Sequence, residues 1–169
     1  MVDKKNNYIS QTSNHIVALN AEYTDECWSK FESSDEIALR VKDNPSIEEE
    51  LDECPFRLSS HPQMSGLLLV IREYKWKVEY LSKELEENAL AKRATTCTLP
   101  IMDTLIHELE TLTGDQSKHD VPPMNKTPPR HFLLPTQKHL DYLYITMECI
   151  KEGFAQVLRY DKNLLNSSN

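Results

Sequence analysis

The sequence predicts an all-α fold, an elongated helical hairpin or bundle with coiled-coil heptads. Two stretches repeat apolar residues at alternating steps of three and four, a pattern that keeps one apolar stripe of a helix against a partner helix. Only three of the 169 residues are glycine, whereas all-β folds and phosphate-binding loops need glycine at their tight turns. The mean hydropathy of −0.57 and the 39% share of hydrophobic residues suit long, thin elements better than one large core.

The first part of the chain predicts a disordered N-terminus over 1–13 and an acidic helical region over 14–54. Pro45 interrupts the helical pattern, because the residue before a proline is pushed out of the α region. Ser46 and Glu49 then fit a capping box that starts a short acidic helix. The segment 55–63 contains two prolines and two serines, and it predicts a loop. Before Pro45, apolar residues recur at helical spacing at Ile16, Leu19, Tyr23, Cys27 and Phe31.

The strongest pattern lies in residues 64–113, which predict one long heptad helix. Pro100 lacks the N–H group of a normal helical residue, so we expect a kink or break near it. A break there would leave Thr98 to cap a second helix that contains Pro100 in its first turn. Gly114 is expected to end the pattern. The heptad seam comprises Met64, Leu67, Ile71, Tyr74, Val78, Leu81 and Leu85, and the same phase continues through Asn88, Lys92, Thr95, Leu99, Met102, Ile106 and Leu109.

A proline-rich connector over 114–135 and a second heptad helix over 136–165 complete the predicted organisation. The connector holds five prolines and no periodicity, which is typical of an extended, mobile segment. Thr136 is a suitable N-cap for the second helix, and the tail 166–169 is expected to fray. Gly153 inside this helix costs about 1 kcal/mol relative to alanine, which indicates a place where another backbone comes close. The second seam comprises Leu140, Leu143, Met147, Ile150, Phe154 and Val157.

The first heptad helix is apolar on a second side as well. Leu69 and Trp76 occupy the position opposite the seam, with Tyr80 nearby, where a two-stranded coiled coil has polar residues. Within one chain, the last helix could fold back antiparallel on 64–113, and the first helix could cover the Leu69 and Trp76 side. We favour the alternative that another polypeptide completes at least one stripe. The predicted partner-binding residues are Leu67, Ile71, Tyr74, Val78, Leu81, Leu85, Leu69, Trp76, Leu140, Leu143, Met147, Ile150, Phe154 and Val157.

No catalytic or metal-binding pattern is present in the sequence. The six histidines lack the spacing of zinc ligands, and no glycine-rich loop could hold a phosphate. Carboxylate pairs such as Glu86 and Glu87 fall on polar helical faces, where nothing prepares them for acid–base catalysis. We therefore expect a non-enzymatic protein without a cofactor or metal.

The sequence predicts a cytoplasmic or nuclear protein. The first residues lead into no apolar signal segment, and the longest apolar run, 67–71, is far shorter than the roughly 18 to 20 residues that span a bilayer. Membrane insertion is therefore not expected. The four widely spaced cysteines are interpreted as reduced, mostly buried thiols. Without a secretory signal, we give no weight to the glycosylation sequons that begin at Asn125 and Asn166.

The charge distribution indicates protein partners rather than nucleic acid. Residues 1–60 contain 13 acidic and 6 basic residues, so direct binding to nucleic acid is disfavoured and a basic partner protein is the easier match. Thr127, followed by two prolines and Arg130, fits the Thr-Pro-x-Arg pattern of proline-directed kinases. It is therefore a candidate phosphorylation site within the connector.

Together these features predict a non-enzymatic coiled-coil scaffold subunit of a multi-protein assembly, such as a spindle, kinetochore or cytoskeletal complex. Its partners would be other helical subunits, so we expect a hetero-oligomer rather than a monomer. The alternative is a helical adaptor subunit of a transcription-regulating or vesicle-tethering complex, since helical scaffolds serve many functions.

Overall fold

The computed structural model describes residues 14–58, 64–114 and 138–167. Within these ranges the chain forms helices and no strand, so the predicted all-α class is confirmed. The predictions for 1–13, for the connector after Gly114, for Thr127 and for the Thr136 cap lie outside the described residues. The helices, in chain order, are α1 (14–32, with a π-helical stretch at Tyr23–Trp28 and a last part at Ser29–Glu32), α2 (Asp35–Asp43), α3 (Ser46–Asp52), α4 (Pro55–Leu58), α5 (Met64–Glu84), α6 (Ala89–Thr113) and α7 (His139–Ser167).

The helices α5 and α6 form an antiparallel hairpin, because only the short link 85–88 separates them. Two ion pairs run across the hairpin. Arg72 lies 3.6 Å from Glu110, and Lys75, one turn later in α5, pairs with Asp103, about two turns earlier in α6. The order of these pairs gives the relative direction of the two helices.

The first helix, α1, also runs antiparallel to α6. His15 Nδ1 lies 2.7 Å from Glu108 Oε1 near the start of α1, and Cys27 is bonded to Cys97 further along. As the residue numbers in α1 rise, those of the facing residues in α6 fall.

The last helix, α7, is antiparallel to both α1 and α5. Trp28 of α1 packs against Tyr144 in a tilted arrangement with 5.2 Å between ring centroids, whereas Tyr23, more than a turn earlier in α1, stacks on Phe154 at 5.5 Å. On the α5 side, Glu84 at the end of the helix faces His139 at the start of α7, with 4.0 Å between the side chains. Of the two arrangements that the sequence left open, the structure has the one in which the last helix folds back antiparallel on α5.

These directions define a four-helix bundle with up-up-down-down topology. Each of α1 and α5 packs against both α6 and α7, so α1 and α5 lie on one diagonal and run parallel. The connection from α1 to α5 and the connection from α6 to α7 are both long crossovers, whereas α5 and α6 are joined directly. The small helices α2, α3 and α4 belong to the first crossover, and each of them packs on α7.

The bundle core takes up both predicted seams. Every seam residue from Met64 to Leu85, and all six from Leu140 to Val157, is at most 8% exposed. These side chains form one cluster with Ile16, Tyr23 and Phe31 of α1 and with the inner face of α6. The prediction of an elongated helical hairpin or bundle with coiled-coil heptads is thus confirmed for the all-α class, but its elongated shape and coiled-coil packing are not confirmed. Apolar residues at alternating steps of three and four positions specify one buried face per helix, but they do not specify how many helices meet at that face.

The structure contradicts a break at Pro100, whereas a kink there stays a prediction. The 64–113 region is interrupted at 85–88, whereas α6 continues through Pro100. Asn88 starts α6, because its side-chain oxygen accepts a hydrogen bond of 2.9 Å from the Ala91 amide and thereby caps a free N–H group. Gly114 ends α6 as predicted, with φ at 71° in the left-handed region that suits glycine.

The acidic front region is divided more finely than the sequence indicated. Ser34 caps α2 by accepting a hydrogen bond from the Ile37 amide at 3.4 Å. The predicted capping box at Ser46 is not formed: the Ser46 amide donates to the Asn44 side chain instead, at 3.2 Å. The predicted loop 55–63 begins with the short helix α4, which carries Phe56 into the core.

Candidate functional site

Two disulfide bonds cross-link the bundle, which corrects the prediction of four reduced thiols. Cys27 of α1 is bonded to Cys97 of α6, and Cys54, between α3 and α4, is bonded to Cys149 of α7, with Cα atoms 5.6 and 5.8 Å apart. Helices that are distant in sequence bring the partners together, so the spacing of the cysteines could not reveal them. Their even number was the only sequence signal for a disulfide framework.

The π-helical part of α1 links that helix to both of its neighbours. Cys27 and Trp28 are consecutive, yet they are only 2% and 5% exposed. The wider π-helical turn lets both side chains point inward, Cys27 toward Cys97 of α6 and Trp28 toward Tyr144 of α7. The apolar periodicity of α1 did not indicate this irregularity.

A buried hydrogen bond adds to the contact between α1 and α7. The Tyr23 hydroxyl donates to the Met147 carbonyl at 2.6 Å. Burial, together with the Glu148 carboxylate, raises the pKa of Tyr23 well above its usual value, so the hydroxyl keeps its proton. The same two causes, with burial the larger, raise the pKa of Tyr144 to about 12.

The first crossover is held on α7 by a charged cluster. Arg57 of α4 lies 3.6 Å from Glu148 and 3.5 Å from Glu152, with Asp52 at 4.0 Å. Burial raises the pKa of the Glu148 carboxyl, and the cations Lys151 and Arg57 offset this effect only in part. This cluster fixes the crossover next to the Cys54–Cys149 disulfide. Sequence analysis did not single out Arg57, because nothing in the sequence indicated that it faces α7.

A cleft of about 190 Å³ opens between the first crossover, α5 and α7 beside the same disulfide. Lys77 of α5 lines this cleft with its side chain only 15% exposed. Its Nζ atom lies 4.3 Å from the centre of the Tyr74 ring and 3.9 Å from Glu73. Burial lowers the pKa of Lys77, and the Glu73 carboxylate opposes that shift.

The structure places the predicted partner-binding residues in two groups. The seam residues of α5 and α7 contact one another inside the bundle, so they already have partners within this chain. Leu69 is 55% exposed on the outer side of α5, where Trp76 is partly buried and its ring lies 5.6 Å from that of Tyr80. The expectation that the first helix covers this side is wrong, because α1 packs on α6 and α7.

Neither a metal cluster nor a membrane span is found in the described part of the chain. Within residues 14–58, 64–114 and 138–167, no three His, Cys, Asp or Glu side chains converge on a position where they could hold a metal ion. Over the same ranges, no helix has the length and apolarity that a bilayer crossing requires. The predicted absence of catalysis and of cofactors stays a prediction.

The arrangement therefore offers outer helix faces, a disulfide-linked crossover and a small cleft as its functional surfaces. Compared with known proteins, the chain matches no protein-family model, no curated protein and no solved structure.

Proposed function

We propose that this chain is a secreted four-helix-bundle ligand of the growth hormone and cytokine type, which acts by binding cell-surface receptors with its outer helix faces. The observation that carries the proposal is the up-up-down-down order of α1, α5, α6 and α7. Among four-helix bundles, two long crossovers with this order are the arrangement of growth hormone and cytokines. The step from topology to function is an analogy of fold, so the experiment must measure binding directly.

The two disulfides support a secreted location. Disulfides persist in oxidising compartments and are rare in the cytosol and nucleus. Here each bond joins elements that are far apart in sequence, by 70 and 95 residues, and three of the four cysteines are at most 3% exposed. The predicted cytoplasmic or nuclear location relied on the lack of an apolar signal segment, and the interpretation of the cysteines as reduced thiols no longer supports it.

The outer surface supports a role as a ligand, because its charges are available for recognition. Glu22 and Asp25 lie on the exposed side of α1, within the acidic front part of the chain. Exposed charges of one sign accelerate association with a partner of opposite sign. We therefore propose a receptor surface with basic residues opposite α1.

The experiment compares the chain produced with an added secretory leader and the chain produced in the cytosol of the same cells. The secreted form should contain no titratable thiol and should bind saturably to a panel of cell types, with competition by unlabelled protein. Reduced and alkylated protein is the control for folding. The proposal would be contradicted if neither form bound saturably to any cell type in the panel and if both forms contained four reactive thiols.

A charge-reversal pair locates the binding face. Glu22→Lys with Asp25→Lys should slow association with the receptor-bearing cells at least severalfold, and the loss should shrink as salt screens the charges. The matched control reverses Glu86 and Glu87, which are exposed in the turn between α5 and α6. Equal slowing by both pairs would indicate a net-charge effect and would exclude α1 as the recognition face.

Covalent modification of the connector distinguishes the proposed secreted location from the predicted cytoplasmic or nuclear location. Thr127 is both the candidate kinase site and the third residue of the sequon that begins at Asn125. Glycosylation takes place in the secretory lumen, whereas the predicted kinase acts in the cytosol or nucleus. We expect the secreted form to lose apparent mass on treatment with a glycosidase, and Asn125→Gln to remove part of that change.

The scaffold and adaptor functions stay predictions. Both require an apolar seam that a second polypeptide completes, and the geometry gives them no support because the seams of α5 and α7 are buried within the bundle. The predicted hetero-oligomer is compatible with a complex between ligand and receptor. Affinity purification with mass spectrometry distinguishes these cases, since a scaffold would recover helical intracellular subunits and a ligand would recover receptor ectodomains.

A further inference from the structure

We propose that Lys77 is a selective modification site for small neutral aldehydes, which reach it through the cleft beside the Cys54–Cys149 disulfide. This inference does not depend on receptor binding. A modified Lys77 would lose its positive charge or carry added bulk at the junction of α5, α7 and the first crossover.

The cleft gives the amine an approach route and an apolar wall. Its volume of about 190 Å³ is enough for a molecule of a few heavy atoms. Ile145 and the disulfide line it from α7 and the crossover, while Lys77 and Tyr74 line it from α5. An aldehyde in the cleft can therefore contact apolar atoms while its carbonyl carbon approaches the Lys77 nitrogen.

The titratable groups around Lys77 come from three elements. On its own helix, Glu73 is 3.9 Å away, a weak pairing distance, and the Tyr74 ring lies 4.3 Å from the nitrogen. The crossover contributes Glu50 and Glu53 to the cleft lining, and α7 contributes Tyr142 as its only titratable side chain apart from the bonded Cys149. Burial outweighs the Glu73 carboxylate, so the pKa of Lys77 is lowered and more of the amine is in its neutral, nucleophilic form than an exposed lysine would have at the same pH.

Lys75 provides a natural comparison on the same helix. Its ammonium group contacts Asp103 and lies 3.4 Å from Glu79. Burial alone would lower the pKa of Lys75, but the hydrogen bond and charge of Asp103, with those of Glu79, outweigh it and raise the pKa. Two lysines separated by half a turn therefore have opposite shifts in pKa.

The proposed reaction is imine formation. The neutral Lys77 amine attacks the aldehyde carbon, the carbonyl oxygen takes up the proton released by the nitrogen, and loss of water from the carbinolamine leaves a C=N bond. No oxidant or reductant is needed for this step. In the assay, cyanoborohydride delivers hydride to the imine carbon and converts the adduct to a stable secondary amine.

The test uses the full chain with both disulfides intact, acetaldehyde as the probe and peptide mass spectrometry of each lysine. At pH 7.5 we expect Lys77 to be ethylated severalfold faster than Lys75, because burial lowers the pKa of Lys77 whereas Asp103 and Glu79 raise that of Lys75, so a larger fraction of Lys77 is neutral. With glyoxylate, which carries a negative charge, Lys77 should no longer react faster than Lys75, because Glu50 and Glu53 line the cleft and repel this reagent. Glu53→Gln should restore part of the preference.

Two results would overturn the proposal. One is an ethylation rate at Lys77 equal to or below that of Lys75 throughout pH 7 to 9. The other is a Lys77 preference that persists in denaturant, since it would then come from the local sequence rather than from the cleft. Lys77→Met is the assignment control, and it should remove the fast-labelled peptide without accelerating labelling at Lys75.

Discussion

At the scale of single residues, Gly153 shows how tightly the first crossover packs on α7. A Cβ atom at this position would lie 3.0 to 3.3 Å from three carbon atoms of the Phe56 ring. Contacts this short require the ring to move, and Phe56 is only 2% exposed among other core side chains. The absence of a side chain at 153 is therefore a packing requirement of the Phe56 site.

We expect Gly153→Ala to lower the free energy of unfolding by about 1 to 2 kcal/mol. Overpacking costs about 1 to 3 kcal/mol, and the better helix propensity of alanine returns up to about 1 kcal/mol. Gly66→Ala in α5 is the matched control, because no heavy atom lies within 4 Å of its added Cβ, so this variant should gain up to about 1 kcal/mol. Urea denaturation of both variants measures the difference. A stabilised Gly153→Ala protein would show that Phe56 moves without cost.

Glu148 gives a prediction for pH dependence. Burial raises the pKa of its carboxyl in the folded state, so its contribution to stability is fully present below the unfolded value of about 4.5 and is lost as pH rises through the folded pKa. Glu148→Gln should therefore melt at a higher temperature than the wild type at pH 7, with a difference that disappears near pH 4. Thermal unfolding between pH 4 and 8 tests this. Glu152→Gln is the control, and an equal rise in its melting temperature would assign the effect to repulsion between neighbouring carboxylates rather than to burial of Glu148.

At the scale of elements, the heptad pattern predicted which face of each helix is buried but not where the helices end. The seam phase from Leu85 to Leu99 is continuous in sequence, so it indicated one helix. The structure interrupts the chain at 85–88 and restarts it at the Asn88 cap. A heptad phase can continue across a turn by chance, because it records only the direction of apolar side chains. Gly114 was predicted correctly, since its left-handed conformation has a specific residue signature.

Replacing Pro100 tests how much this residue destabilises α6, because it lies inside the helix and is exposed. It cannot donate a hydrogen bond to the Thr96 carbonyl, and an interior proline costs a helix about 3 kcal/mol. Pro100→Ala should therefore raise the free energy of unfolding by about 1 to 3 kcal/mol. The hydrogen bond from Thr104 to the carbonyl of residue 100, at 3.0 Å, would be kept. Lys92→Ala, an exposed change in the same helix, should stay within about 0.5 kcal/mol. If Pro100→Ala left the free energy of unfolding unchanged, the helix would already have adapted to the proline.

At the scale of the whole molecule, the sequence predicted the helix class and the two seams but not the topology. Four amphipathic helices of one chain can pack in several connection orders, and the order depends on contacts between residues 70 or more positions apart. The bond between Cys27 and Cys97 and the contact between Tyr23 and Met147 are such contacts. Periodicity within a helix carries no information about them. For the same reason, the cleft beside Lys77 could not be predicted, since three separate elements form it.

The disulfides make the topology testable, because each one links two parts of the chain that are far apart in sequence and adjacent in the bundle. In the chain-entropy account, a cross-link across 70 or 95 residues stabilises by about 4 kcal/mol. Cys27→Ala with Cys97→Ala, and Cys54→Ala with Cys149→Ala, should each lose about that amount in urea denaturation.

The two double variants should differ in local protection. The second pair also removes the covalent link between the crossover and α7, so that only non-covalent contacts, such as those of Arg57 and the hydrogen bond from Gln156 to the Phe56 carbonyl, would remain. Hydrogen exchange over 46–58 should therefore accelerate in the Cys54/Cys149 variant and stay near wild type in the Cys27/Cys97 variant.

Mixed-partner variants such as Cys27→Ala with Cys149→Ala would leave two cysteines that the bundle keeps apart, so both should titrate as free thiols. An intact disulfide between Cys54 and Cys97 in that protein would contradict the helix order, and equal exchange in the two matched variants would contradict the role of Cys54 in holding the crossover.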